Sequence, residues 1–292
     1  MYALIRQYEG LSAEALETAT HKANLELRPI LAKSDGFVSY ELIKPEDKSD
    51  TVASISVFDT RAAAEASNKV AEDWVRSNLP SMTKPPYWDD AIQALAARDR
   101  VLAKLIAEFP GLHATRRGDP FTTLARAIVG QQISVKAAQT IWERVLKACE
   151  AGPRGPLDPA RVQRKRIATL RACGLSMNKA EYIRDLAKHF ASARLDPREW
   201  PALDDEALIE ALVDVKGIGR WTAEMFLMFH ELRADVLPVA DIGLQKAVAV
   251  HYFDGRRPTL AELRAVAENW QPYRSVATWY LWRSLDPIPV EY

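Results

Sequence analysis

Leu212-Val-Asp-Val-Lys-Gly-Ile-Gly-Arg-Trp-Thr-Ala-Glu224, an apolar helical run, and then Leu237-Pro-Val-Ala-Asp-Ile-Gly-Leu-Gln245 make up the stretch on which the reading of this chain turns. Gly217 and Gly219 lie two apart, between an apolar helix end (Ile209, Leu212, Val213) and an apolar helix start (Trp221, Met225, Phe226). A Gly-x-Gly between helices gives the backbone access to positive φ and exposes N–H groups where the second helix begins. Those amides, with the positive helix end, suit an anion such as a DNA phosphate. Two glycines alone also fit a plain αα-turn. What shifts the balance is Asp241, which follows Pro238 downstream of the turn.

Outward from this stretch, no alternating strand pattern is found between Tyr87 and Leu285. Helical spacing predicts Asp89–Phe109, Pro120–Val129, Val135–Glu150, Ile167–Ala172, Lys179–Ala191, Asp204–Val213, Trp221–Phe229, Ile242–Tyr252, Leu260–Trp270 and Tyr273–Leu285. Asp119-Pro120 is an N-cap followed by proline at the first helical position, and Thr259-x-x-Glu262 is a capping box. Gly152-Pro-Arg-Gly-Pro156 reads as a loop. At Gly130-Gln-Gln-Ile-Ser134 one apolar helix stops and Ser134 caps the next. The paired glutamines there fit a solvated turn or a DNA contact, where an amide donates and accepts at once.

The first eighty residues have a different pattern. Tyr2–Tyr8, Gly36–Lys44 and Thr51–Phe58 read as strands, with 45–50 as a polar hairpin loop; Ser12–Lys33 and a run capped by Asp59/Thr60 and ending near Leu79 read as helices. The order βαββα fits a small ferredoxin-like α+β sandwich. Pro80, Pro85 and Pro86 mark a linker, taken as 81–87, between a domain at 1–80 and an all-α domain at 88–292.

Composition sets the outer bounds. The 292 residues carry equal numbers of acidic and basic side chains, with 48% hydrophobic residues, as expected of a globular protein. Residues 147–198 are basic, however, with twelve Lys and Arg against five Asp and Glu, the balance that phosphate contact requires. A solvated helix face explains that cluster as well. There is no signal-peptide pattern, so a cytoplasmic location is expected. Two cysteines, Cys149 and Cys173, read as reduced and partly buried, and are too few to hold an iron–sulfur cluster.

Taken together, Ala127-Ile-Val-Gly-Gln-Gln-Ile-Ser134, Gly174-Leu-Ser, Lys179-Ala180, Val215-Lys-Gly-Ile-Gly-Arg-Trp-Thr-Ala223, Leu237-Pro-Val-Ala-Asp241 and Trp270-x-Pro-Tyr-Arg-Ser275 resemble the helix-hairpin-helix DNA glycosylases. The alkylpurine (3-methyladenine II) branch is the most similar. The N-terminal segment resembles the antibiotic-biosynthesis-monooxygenase (ABM) family through Gly36-Phe-Val-Ser-Tyr40, Ser54–Asp59 and Arg61–Leu79, which includes Ala66-Ser-Asn68 and Trp74-Val75. That second likeness implies self-association through the sheet and carries over no activity residues. His21 and Asn68 are read there as pocket-lining or as ordinary helix residues.

The glycosylase resemblance implies roles for individual residues. Asp241 matches the catalytic aspartate, and the chemistry wants a carboxylate there, because breaking an N-glycosidic bond builds positive charge on the sugar. Asp241 also reads as the N-cap of the following helix, whose positive end stabilises a negative charge. Trp221 stands where strand-nicking relatives have a lysine, which implies a monofunctional enzyme in which water attacks the sugar. Trp221, Trp282 and Met225 match a pocket for a flipped base, and a cationic alkylated purine suits indole faces. Trp282 reads equally well as a core residue. Gln132 matches the residue wedged into the gap left by the flipped nucleotide. Gln131, Ser134, Lys216, Gly217, Ile218, Gly219 and Thr222 match DNA contacts. Backbone carbonyls of Val213, Val215 and Ile218 match a site for a monovalent cation, Na⁺ or K⁺; no other cofactor is implied. The partner is double-stranded DNA bearing alkylated bases. Three alternatives stay open: a glycosylase for other damaged bases, a catalytically inactive DNA binder, and a small-molecule monooxygenase in the N-terminal domain.

Overall fold

The computed structural model describes residues 1–8, 13–43, 52–79, 84–116, 118–152 and 156–285. The expectations for the hairpin loop at 45–50, the first part of the linker, residues 153–155 and the helix start at Ser12 fall outside them.

The chain divides into two compact units, residues 1–85 with 111–116, and residues 86–110 with 117–292. In the first, β1 (Tyr2–Tyr8), β2 (Phe37–Ile43) and β3 (Val52–Phe58) form an antiparallel sheet in the order β1-β3-β2. β3 thus lies between two strands that run parallel to each other, in a register that pairs Tyr2 with Phe58 and Tyr8 with Val52. The predicted helix after β1 comes in three pieces: α1 (Ala13–Lys22), a π-helical segment (Ala23–Leu27) and α2 (Arg28–Leu31). Thr60 caps α3 (Arg61–Asn78). Leu16, Leu27, Leu31, Tyr40, Val52, Ala71 and Trp74 share one apolar core. Arg6 reaches into a polar layer on the helix-facing side of the sheet, donating to Ser56 Oγ at 2.7 Å, Asn68 Oδ1 at 2.9 Å and Ser67 Oγ at 3.2 Å. Asn68 is therefore a half-buried helix residue bonded to Arg6 and Glu72, and His21 is exposed.

The second unit is helical throughout its described residues: α4 (Trp88–Arg98), α5 (Arg100–Glu108), α6 (Pro120–Gly130), α7 (Val135–Ala148), α8 (Pro159–Arg164), α9 (Ile167–Ala172), α10 (Met177–Ala191), α11 (Asp205–Val213), α12 (Arg220–Phe229), α13 (Ile242–Tyr252), α14 (Leu260–Glu268) and α15 (Arg274–Leu285). Side chains from α6 to α12 bury one continuous core, including Phe121, Ile128, Leu146, Ile183, Leu212, Ile218 and Phe226. Helices α4, α5 and α13 each pack on α15, and α4 packs on α5. The predicted caps are present: Asp119 accepts from Thr122 N, Ser134 from Ala137 N, and Thr259 with Glu262 closes a capping box.

Two helices depart from expectation. The single helix expected over Asp89–Phe109 is two, α4 and α5, broken where Asp99 takes extended backbone angles. Asp99 Oδ1 caps α5 by accepting from Val101 N and Leu102 N, while Oδ2 accepts from Tyr252 Oη at 2.8 Å and Trp270 Nε1 at 3.1 Å. A buried carboxylate needs such donors, and an extended Asp99 meets four at once. Helix α8 was not expected; Asp158 caps it, with Pro159 in its first turn. Cys149 and Cys173 are free and buried, and burial pushes the Cys149 thiol up to about 11. No helix among the described residues is long and apolar enough to cross a membrane.

Candidate active site and nucleic-acid interface

Asp241 begins α13 with its carboxylate turned back over the first turn. Oδ1 accepts from Leu244 N at 2.6 Å, as the N-cap expectation requires, and from Trp282 Nε1 at 2.8 Å. Oδ2 accepts from Trp221 Nε1 at 2.9 Å. Three N–H donors from three helices thus fix one carboxylate that is only 7% exposed. Gly243 permits this approach, since a Cβ there would lie 3.1 Å from both Asp241 Oδ1 and Trp282 Nε1.

The chain leading into Asp241 is tied down from both sides. Ser275 Oγ accepts from Val236 N, Arg274 forms a paired bridge to Asp235, and Gln245 Nε2 donates to Val239 O. These bonds give Arg274 and Ser275 a structural reason to follow Trp270 at fixed spacing.

The two tryptophans differ in exposure. Trp221, in the first turn of α12, is 38% exposed, leaving indole surface open beside the aspartate. Trp282 is half-buried, one face stacked on Phe229 with ring centroids 5.7 Å apart. It packs against the core, as its core reading has it, and its N–H also reaches Asp241. Met225 is buried within the core of α6–α12.

The hairpin joins α11 to α12. Gly217 has φ +83°, and Gly219, in extended conformation, starts α12 with no side-chain cap. Ile218 is buried and its N–H donates to Val215 O, so its amide is used inside the turn. Lys216 is exposed, with its backbone N–H donating to Asp185 Oδ2 at 3.0 Å. Arg220 holds the start of α12 to α11 through a paired bridge to Glu206, and it bonds Glu224 one turn along α12 at 3.0 Å. Burial raises Glu224 above the ordinary carboxylate range, and neighbouring Arg220 opposes that rise. Thr222 is half-buried in the first turn of α12. The last turn of α11 carries no basic side chain to meet its carbonyls, and exposed Val213 and buried Val215 sit at that end.

The two glutamines of the α6–α7 turn behave differently. Gln131 donates its side-chain amide to Gly217 O at 2.8 Å, an inward role. Gln132 is exposed with φ +57°, at the tip of the turn, beside exposed Ile133, Ser134 and Val135. Sequence reasoning missed Lys179 as more than a motif letter: its ammonium donates to Val129 O at 2.8 Å and Gln131 O at 2.5 Å, at the C-terminal end of α6. Burial lowers its pKa. Its place two residues inside a Ser-capped helix carried no signal of that partner. Gly243 was also missed, although a glycine in the first turn of a helix, where it costs about 1 kcal/mol against alanine, is a sign of close approach.

Comparison with known proteins places the helical part of the chain in a family. Residues 125–272 match the family model described as HhH-GPD superfamily base excision DNA repair protein. A putative DNA-3-methyladenine glycosylase, YfjP, of Bacillus subtilis is 33% identical over 169 residues, which are 57% of this chain and 59% of that relative. DNA-3-methyladenine glycosylase 1 of Schizosaccharomyces pombe is 32% identical over 184 residues, covering 63% of this chain and 80% of the relative. The solved structure of the 3-methyladenine DNA glycosylase Mag1 of that yeast, in complex with abasic DNA, superposes with a TM-score of 0.59 at 29% identity, over 69% of this chain and all of that one. The helical unit has the fold of those glycosylases, and this chain belongs to the HhH-GPD superfamily of base excision DNA repair proteins.

Proposed function

We propose that this protein is a monofunctional DNA glycosylase that hydrolyses the N-glycosidic bond of alkylated purines of the 3-methyladenine and 7-methylguanine type. The observation that carries the reading is the Asp241 carboxylate, held by two indole N–H groups and a helix N-terminus with an exposed tryptophan alongside. A purine methylated at N3 or N7 is cationic and leaves as a neutral base. As the bond breaks, positive charge grows on the sugar, and a fixed carboxylate stabilises it without reorganising. Water then adds to the sugar carbon and releases a proton to solvent, leaving a hydroxyl. Trp221 has no amine to form a Schiff base, which supports hydrolysis without strand cleavage. Open indole surface at Trp221 suits a flipped cationic base.

Gln132 at its turn tip is the proposed wedge, and Ser134, Lys216, Gly217, Gly219 and Thr222 the proposed phosphate contacts, with Gln131 and Ile218 supporting from within. A monovalent cation at the carbonyls of Val213, Val215 and Ile218 fits the end of α11, whose last turn carries no basic side chain, and would add positive charge for a DNA phosphate. Release of bases from a panel of lesion-bearing duplexes tests the function. Methylated purines should be released and the strand left intact; a protein that releases only uracil or oxidised bases would overturn the substrate assignment.

For the first unit, the β1-β3-β2 order with helices on one face supports the ferredoxin-like, ABM-like reading over residues 1–80, with a linker at 81–87. Ile5 and Ile43, on the opposite sheet face, are 65% and 46% exposed, which supports pairing of two copies through that face. Light scattering on the full chain should then give a dimer mass that Ile5→Glu returns to the monomer. A monomeric parent protein would sink the idea.

A further inference from the structure

One face of α10 touches both turns of the proposed DNA interface. Lys179, Tyr182, Asp185 and His189 recur at spacings of three, three and four, which places them along one side of the helix. Lys179 donates to Val129 O and Gln131 O, bracing the turn that presents Gln132. Tyr182 lies under the hairpin, its ring so near Gly217 that a Cβ there would sit 2.1 Å away. Asp185 Oδ2 accepts from Lys216 N, and His189 Nε2 bonds Asp214 Oδ2 at 3.1 Å. Gln131 completes the circuit by donating to Gly217 O.

We propose that Lys179 is a positioning residue: through α10 it fixes the Gln131–Gln132 turn against the hairpin, so that the wedge in the duplex and the amides on its backbone act as one clamp. The proposal rests on the glycosylase reading above. Its logic is geometric. Without its ammonium the carbonyls ending α6 lose two charge-assisted hydrogen bonds, and among the described residues the Gln131 amide is left as the hydrogen bond joining the turn to the hairpin. The hairpin itself stays seated on Tyr182 and Asp185. Grip on the DNA backbone should therefore survive while insertion into the base stack is impaired.

Lys179→Met keeps the apolar stem and removes the donors. Two quantities are to be measured: single-turnover base release from methylated duplex, and flipping, followed by the fluorescence of 2-aminopurine opposite an abasic-site analogue. Release should slow by about ten- to a hundredfold, the scale of an ångström-sized misplacement. The flipping signal should fall with it, affinity for undamaged duplex should stay within a few-fold, and Lys179→Arg should restore most of the rate. Wild-type flipping and release in Lys179→Met would overturn the proposal. So would a loss of duplex affinity equal to the loss of rate, because the whole interface would then have been disturbed. If the parent protein releases no alkylated base, the glycosylase reading fails separately, and the flipping signal alone still decides the role of Lys179.

Discussion

Asp241→Asn should slow single-turnover release of 3-methyladenine from methylated duplex by about a thousandfold, or about 4 kcal/mol of transition-state stabilisation, with duplex affinity within a few-fold of the parent. Asparagine caps helices about as well as aspartate, so α13 should still begin at residue 241. If its oxygen keeps the bonds from Leu244 N and Trp282 Nε1, its NH₂ group faces Trp221 Nε1, donor against donor. The indole of Trp221 is exposed enough to turn that N–H to water, which limits the stability cost to about 1 kcal/mol. The substitution thus removes the negative charge and leaves the frame. Turnover near the parent rate in a well-folded Asp241→Asn protein would remove the carboxylate from the mechanism. A large fall in thermal stability would instead mean that the three-donor arrangement is a folding device first.

Why this site was legible in the chain, and where it stopped being so, follows from the range of each interaction. Asp241 as an N-cap depends on residues three apart, and the proline-then-aspartate pattern displays it. That Trp221 and Trp282 both donate to it could not be read, since their bonds span 20 and 41 residues and depend on how α12 and α15 cross α13. The break between α4 and α5 has the same cause. Apolar spacing runs unbroken across Asp99, and the donors that draw its carboxylate inward, Tyr252 and Trp270, stand 153 and 171 residues away. The adjacent glutamines illustrate the limit at the smallest scale. Gln131 and Gln132 are chemically identical, and only the fold sends one side chain to Gly217 and the other to the surface. Local chemistry therefore displayed the cap and the turns, and packing assigned the distant partners of Asp99, Asp241 and Gln131.

The two glycines of the hairpin should separate sharply under the same substitution. Gly217→Ala places a methyl group 2.1 Å from the Tyr182 ring, at a φ of +83°. The left-handed backbone costs about 1–2 kcal/mol for a residue with a Cβ, and forcing the ring aside adds about 1–3 kcal/mol. The ring cannot yield freely, because Tyr182 belongs to α10, which also holds Lys216 N through Asp185. Moving the turn would also pull Gly217 O from the Gln131 amide, so the damage should reach the α6–α7 turn. At about 2–4 °C per kcal/mol for a domain of this size, Gly217→Ala should melt about 4–20 °C lower and lose most of its affinity for duplex DNA. Gly219 has ordinary negative φ and open space around the would-be Cβ, so Gly219→Ala should cost under about 1 kcal/mol, the small difference between glycine and alanine as an N-cap. Thermal melts and duplex binding of the two variants, measured together, decide the matter. Equal effects at both positions would mean that the Tyr182 contact does not seat the hairpin; a large effect at Gly217 alone would show that one glycine of the pair is required by packing and the other only by the need for an uncluttered helix start.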